Sequence, residues 1–177
     1  DIIPGPKEFY ATVGPSWGWA QNSPFRRYKS WAHEGGIATP CIAWWPGRVP
    51  SGGITKEVGH IIDFMPTFLE LGAGKYPKKF NGKKIIPVEG KSLVNVLQGE
   101  SRKGHDQLAW EWSGNRALRE GKWKLVWDKY DKQWSLFDLV ADRTETTNLA
   151  GNHPGLVRRL ASDWYAWAKR NGLNPRK

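Results

Sequence analysis

At 177 residues the chain is long enough for one core, or for one and a half small ones, and its 39% hydrophobic content makes it a globular chain. Its longest apolar windows, Cys41–Trp45 and Phe64–Leu71 with Pro66 inside, fall short of a bilayer span. A single cysteine, Cys41, excludes an internal disulfide framework and a cysteine-built zinc site. The formal charge of +10, from 27 Lys and Arg against 17 Asp and Glu, attracts anionic partners at long range. It does not choose among nucleic acid, anionic glycan, sulfate ester and phosphate. The opening DIIPGPKEFY has no basic start and no apolar leader core. It reads as a cut end, so the native compartment is open.

In chain order, residues 1–23 read as an irregular segment, punctuated by Pro4, Gly5, Pro6, Gly14, Pro15 and Gly18. Then comes PFRRYKSWAHEGGIATPCIAWWP (24–46), in which Arg26, Arg27 and Lys29 precede a double glycine and an apolar run. The run at 37–45 predicts a short buried strand, followed by a Pro/Gly loop to residue 53. Asp63 is placed to cap a helix with Pro66 in its first turn, an apolar face of Phe64, Met65, Phe68, Leu69 and Leu71, and Gly72 as its stop. Residues 74–91, rich in lysine, proline and glycine, read as a linker, and KSLVNVLQG as a short helix. QLAWEWS, RALREG, WKLVWDK and QWSLFDL alternate like strands joined by hairpin-length connections, so they predict an antiparallel meander. From Pro154 to Arg170, Leu156, Leu160, Trp164 and Ala168 line one face of an amphipathic helix, with Asn152 or His153 before it and Gly172 after it. That helix needs a sheet to cover, and the meander supplies one.

Taken alone, the three cations at 26–29 read as a solvated face, with Arg26 and Arg27 pairing with carboxylates such as Glu34. His33 reads as a substrate contact or as an ordinary half-buried imidazole, the second favoured. Gly35 and Gly36 let the backbone turn tightly where a Cβ would collide, for instance beside a ligand. Asp138, Asp142 and Asn148 organise turns around the passage from sheet to helix.

Five stretches, residues 24–47, 59–77, 90–99, 114–126 (GNRALREGKWKLV) and 136–150 (LFDLVADRTETTNLA), stand in the order found in the C-terminal portion of type I sulfatases. The resemblance covers about residues 13–171, and its weight comes from five motifs in register. It implies an α/β protein (α+β for this stretch alone) of alkaline-phosphatase-like fold. Residues 1–80 would be the end of the α/β/α catalytic domain, and 81–177 a subdomain with a small antiparallel sheet packed on a long C-terminal helix. The activity implied is hydrolysis of sulfate esters, aryl sulfate or sulfated carbohydrate. In the family pattern R-x-x-K-x-x-x-x-E-G-G the lysine reaches the sulfate group, and Lys29 matches it. His33, Glu111 and Asn115 are the other expected substrate contacts. Trp112 stands where many relatives carry histidine, which puts an acid/base role there in doubt.

Calcium and a formylglycine nucleophile belong to the family's complete enzyme. The Cys/Ser-x-Pro-x-Arg source of that nucleophile is absent here: Cys41 is followed by IAWW, and SPFR has its proline one place early. No metal ligands are expected among these residues, which alone should be inactive without an N-terminal catalytic part. Unpaired edges at 37–45 and 64–71 predict self-association or a rearranged N-terminal third. The family implies a periplasmic or secreted location. Neither a membrane nor a nucleic acid is the expected partner, since no recognised nucleic-acid motif is present. The competing class is a non-catalytic module that holds anionic, sulfated glycans through its charge and Trp110, Trp112 and Trp134.

Overall fold

The computed structural model describes residues 13–174; the expectation of irregular chain at 1–12 lies outside them. Two compact units are formed, one from 13–39 with 107–174 and one from Pro40–Asp106.

In the first unit, strands β3 (Leu108–Trp112), β4 (Asn115–Glu120), β5 (Trp123–Asp128) and β6 (Gln133–Asp138) form an antiparallel meander in the order β3-β4-β5-β6. Helix α5, Pro154–Arg170, covers one face. Side chains alternate across a strand, so Leu118, Leu125 and Leu136 lie together against Leu160, Trp164 and Ala168. Ala117, Val126 and Phe137 point to the opposite face and bury Ala32 with Leu139. Both the meander and the helix agree with the expected small antiparallel sheet on a long C-terminal helix. The helix starts at Pro154 after His153, whose side chain makes no capping bond. Asp138 accepts from the amides of Val140 and Ala141, Asp142 from Thr146 and Thr147, and Asn148 from Leu136 and Ala150, as turn organisers should.

Two departures lie in the N-terminal part. Residues Gly14–Gln21 form a helix, α1, where an irregular segment was expected. Its proline occupies the first turn, where it is tolerated, and the Asn22 side chain donates to Gly18 O. The second departure is 37–45. Beyond the short helix α2 (Glu34–Ile37) there is no strand: Ile42 is 93% exposed and Trp44 85%. A strand is completed only by a neighbouring backbone, and none of the described residues pairs with this run.

In the second unit, a 3-10 turn at Ile61–Asp63 leads into α3, Phe64–Leu71, which packs beside α4, Val94–Leu97. Asp63 stands just before α3, but its side chain does not cap that helix as expected, because the carboxylate is turned to other donors. Its Oδ2 accepts from His60 N at 3.0 Å, closing a capping box backwards, while Ile62 N donates to His60 Nδ1. The supposed linker contains a two-stranded hairpin, β1 (Lys79–Phe80) and β2 (Lys83–Lys84), around Asn81–Gly82. Asn-Gly between short runs is a hairpin signal in its own right. No described helix is long and apolar enough to cross a membrane.

Candidate functional site

The charged segment from Pro24 to Ile37 lies against the sheet face opposite α5, and its charges are sorted by what each one meets. Arg27 Nη2 donates to Asp128 Oδ2 at 2.9 Å, with its guanidinium over the rings of Trp19 and Trp31. Arg26 Nη1 donates to the Glu145 carbonyl at 3.2 Å. Arg27 thus meets a carboxylate as expected, though that of Asp128 and not Glu34, while Arg26 meets a carbonyl. Glu34 is buried and held by Lys124, whose Nζ donates to its Oε1 at 2.7 Å; Arg143 Nε stands 3.6 Å from its other oxygen. Lys124 Nζ also lies 2.9 Å from Glu145 Oε1, a second ion pair. Glu145 Oε2 accepts from Glu34 N at 2.8 Å. Burial pushes the Glu145 carboxyl up, and Lys124 opposes that shift.

Lys29 is different. It is exposed at the tip of the segment, and its ammonium has no hydrogen-bond or ion-pair partner among the described residues. Asn115 steadies the backbone beside it: Nδ2 donates to Ser30 O at 2.7 Å, and Oδ1 accepts from Lys129 N at 3.2 Å. Glu111 closes the neighbouring β3–β4 turn by accepting from Gly114 N at 3.0 Å. Lys29 and Asn115 are thus brought together through Ser30, with Glu111 on the strand paired to that of Asn115. Of Trp110, Trp112 and Trp134, only Trp112 is exposed; Trp110 packs on the core cluster under the segment, and Trp134 meets Trp127 and Trp164 edge to face.

The double glycine has a reason within the chain. A Cβ on Gly35 would stand 2.1 Å from Arg27 O, and one on Gly36 2.0 Å from Trp31 O. What approaches them is the segment's own backbone, so no ligand is needed to explain them.

His33 is only 2% exposed, with its ring 6.3 Å from that of Phe137. Burial, with the nearby charges of Lys124 and Arg26, lowers its pKa from 6.5 to about 3. Between those values the unfolded chain binds more protons than the folded one, so stability falls as the pH drops through that window. From pH 6.5 to 4.5 the loss attributable to this ring is about 2–3 kcal/mol. Urea unfolding at several pH values is expected to show it, and His33→Gln is expected to flatten the profile there. An unchanged slope in the variant would rule out this account.

Sequence reasoning missed Lys124, Asp128 and Glu145. For Lys124 the signal was available, since it shares a strand face with the buried Val126. Among the described residues, no group of three or more His, Cys, Asp or Glu converges as a metal site, and the buried carboxylates of Glu34 and Glu145 are both engaged by Lys124.

The C-terminal region described as "N-sulphoglucosamine sulphohydrolase, C-terminal" matches residues 25–160. An uncharacterized sulfatase of Schizosaccharomyces pombe is 32% identical over 166 residues, 90% of this chain and 30% of the relative. A sulfatase of Formosa agariphila is 31% identical over 185 residues, 92% of this chain and 32% of the relative. A structure from work on glycosaminoglycan metabolism in Bacteroides thetaiotaomicron superposes with a TM-score of 0.63 at 22% identity, covering 82% of this chain and 32% of its own. That likeness speaks to the fold. The chain spans about a third of the length of the curated relatives it matches. With its meander, its covering helix and most of its length inside one C-terminal family region, the chain belongs to the sulfatase family and corresponds to that family's C-terminal part.

Proposed function

We propose that the chain serves a sulfate ester hydrolase, to which it contributes Lys29 as a sulfate-binding cation. The observation that carries this reading is the sorting of charge on one segment. Arg26, Arg27 and Glu34 are all taken by partners inside the chain, whereas Lys29 is held out on a braced loop with none. Cleaving a sulfate ester builds negative charge on the sulfuryl and leaving oxygens. A fixed ammonium lowers the cost of that charge more in the transition state than in the ground state.

On this reading Asn115 and Glu111 hold the loop and turn that frame the site. His33, expected as a substrate contact, is buried behind the segment and on this reading supports it as a neutral ring without touching the substrate. The nucleophile and any calcium would come from a catalytic part such as the longer relatives have room for. The apolar side chains left bare on α3, Phe68 at 67% exposure among them, would lie against that part. Without it the chain is expected to self-associate and to be inactive.

In the protein joined to that catalytic part, Lys29→Ala is expected to lower kcat/KM on a sulfate ester by about 10²–10³-fold. The urea midpoint should be unchanged, because Lys29 has no partner to lose. Unaltered kinetics in the variant, or turnover by the 177-residue chain alone with calcium added, would overturn the reading.

A further inference from the structure

The hairpin β1–β2 plays no part in the site above, and its charge has no explanation within the fold. Its turn residues Asn81 and Gly82 both have positive φ, 47° and 77°, the combination a tight two-residue turn demands. That turn sets the register, with Lys79 opposite Lys84 and Phe80 opposite Lys83. Residues directly opposed in an antiparallel pair project from the same side. Two ammonium groups therefore share one face, and a third shares the other face with the Phe80 ring.

Like charges directly opposite each other are unfavourable. Nothing in the segment relieves them, because residues 71–88 contain no Asp or Glu and Lys75 and Lys78 add to the charge. None of these five ammonium groups has a hydrogen bond or ion pair among the described residues, and every residue from 75 to 84 is exposed, Tyr76 and Phe80 included. Edge lysines do guard a strand against pairing with another chain. One per strand is enough for that, and it leaves Lys75 and Lys78, outside the ladder, unexplained.

We propose that this hairpin is an accessory binding site for a sulfated polysaccharide. Lys79, Lys83 and Lys84 would take sulfate groups, Lys75 and Lys78 would extend the track, and the rings of Tyr76 and Phe80 would lie against sugar faces. The choice of polymer rests on the sulfate ester reading and on the cations used. All five are lysines, point charges suited to separate sulfate oxygens. Recognition of bases and paired phosphate oxygens favours the planar fork of arginine, and residues 71–90 contain no arginine. Holding a polymer at a second point raises its effective concentration for the enzyme without a new contact at the reacting centre.

The test is titration of the 177-residue chain with a heparin-type polysaccharide, with its desulfated counterpart and with double-stranded DNA at one salt concentration. K79Q/K83Q/K84Q is expected to lose about ten-fold or more in affinity for the sulfated polymer, with a shallower salt dependence and an unchanged circular dichroism spectrum. K75Q/K78Q, which leaves the ladder intact, is expected to weaken binding several-fold. Equal affinity of the wild-type chain and both variants would overturn the proposal, as would equal binding of the desulfated polymer. Binding to DNA as tight as to the polysaccharide would assign the hairpin to nucleic acid and overturn it too. Hydrolysis by the Lys29 variant and polymer binding by the hairpin variants read different residues and different signals, so either reading can fail without the other.

Discussion

Asp63→Ala is expected to destabilise the second unit by about 3–5 kcal/mol, the usual result of removing one partner from a buried charge network. The carboxylate is fully buried and satisfies four donors. Oδ2 accepts from His60 N at 3.0 Å and Arg102 Nη2 at 2.9 Å; Oδ1 accepts from Lys91 N at 2.9 Å and lies 2.6 Å from His105 Nε2. Arg102 in turn donates to the carbonyls of Lys91 at 2.6 Å and Val58 at 2.8 Å. One side chain thus gathers segments around 58–63, 91 and 102–105, which have little apolar core between them.

The backbone conforms to the same knot. A Cβ on Gly90 would stand 2.0 Å from Ile62 O, and Thr67 Oγ1 both donates to Asp63 O and accepts from Leu93 N. Burial alone would raise the Asp63 pKa; the bonds from Lys91, Arg102, His105 and His60 outweigh it, and the group titrates below its ordinary 3.8. A depressed carboxylate contributes stability above its unfolded pKa and loses it as the pH falls through the folded one. The deficit of the alanine variant should therefore be full at pH 7 and shrink below about pH 4. Urea unfolding combined with amide exchange over 58–105 measures both, and Asp63→Asn should fall between the two proteins. Wild-type exchange rates in the alanine variant would refute the keystone role.

Lys124→Met is the second large effect, again about 3–5 kcal/mol at pH 7. Lys124 is fully buried between Glu34 and Glu145, and the methionine would fill its volume while removing the charge that lets two carboxylates face each other. Because burial already raises the Glu145 pKa, the cost of its ionised form is present above the unfolded value and relieved on acidification. Losing Lys124 raises that pKa further, so the variant's deficit should narrow as the pH falls from 7 toward 5. Adding Glu34→Gln and Glu145→Gln to the same protein is expected to recover much of the loss, since the unpaired charges go with the cation. If the single variant unfolds at the wild-type urea midpoint, the buried triad contributes nothing to holding the segment on the sheet.

Much of the first unit was legible because its signals are local. Alternation in WKLVW and QWSLFD, hairpin-length connections and a four-residue spacing from Leu156 to Ala168 each specify an element without reference to anything distant. The sulfatase resemblance rested likewise on residues read in order, and Lys29 stood out because one motif contains it. The Asn-Gly hairpin at 81–82 was equally local and was passed over, because lysine and proline around it suggested a linker. The run at 37–45 was misread for a different reason. Its apolar composition describes what the segment can bury, while a strand also requires a second backbone.

The sequence by itself determined the order of elements in the sheet, the helix that covers it and the family. Only the tertiary structure decided which charges are spent inside the protein. Arg27 goes to Asp128, 101 residues away, and Lys124 to Glu34, 90 residues away, and no local pattern encodes a pairing over such distances. A charge is buried or free according to what the folded chain brings against it. That is why Lys124, one residue among 27 cations, lies in the core while Lys29 stays exposed.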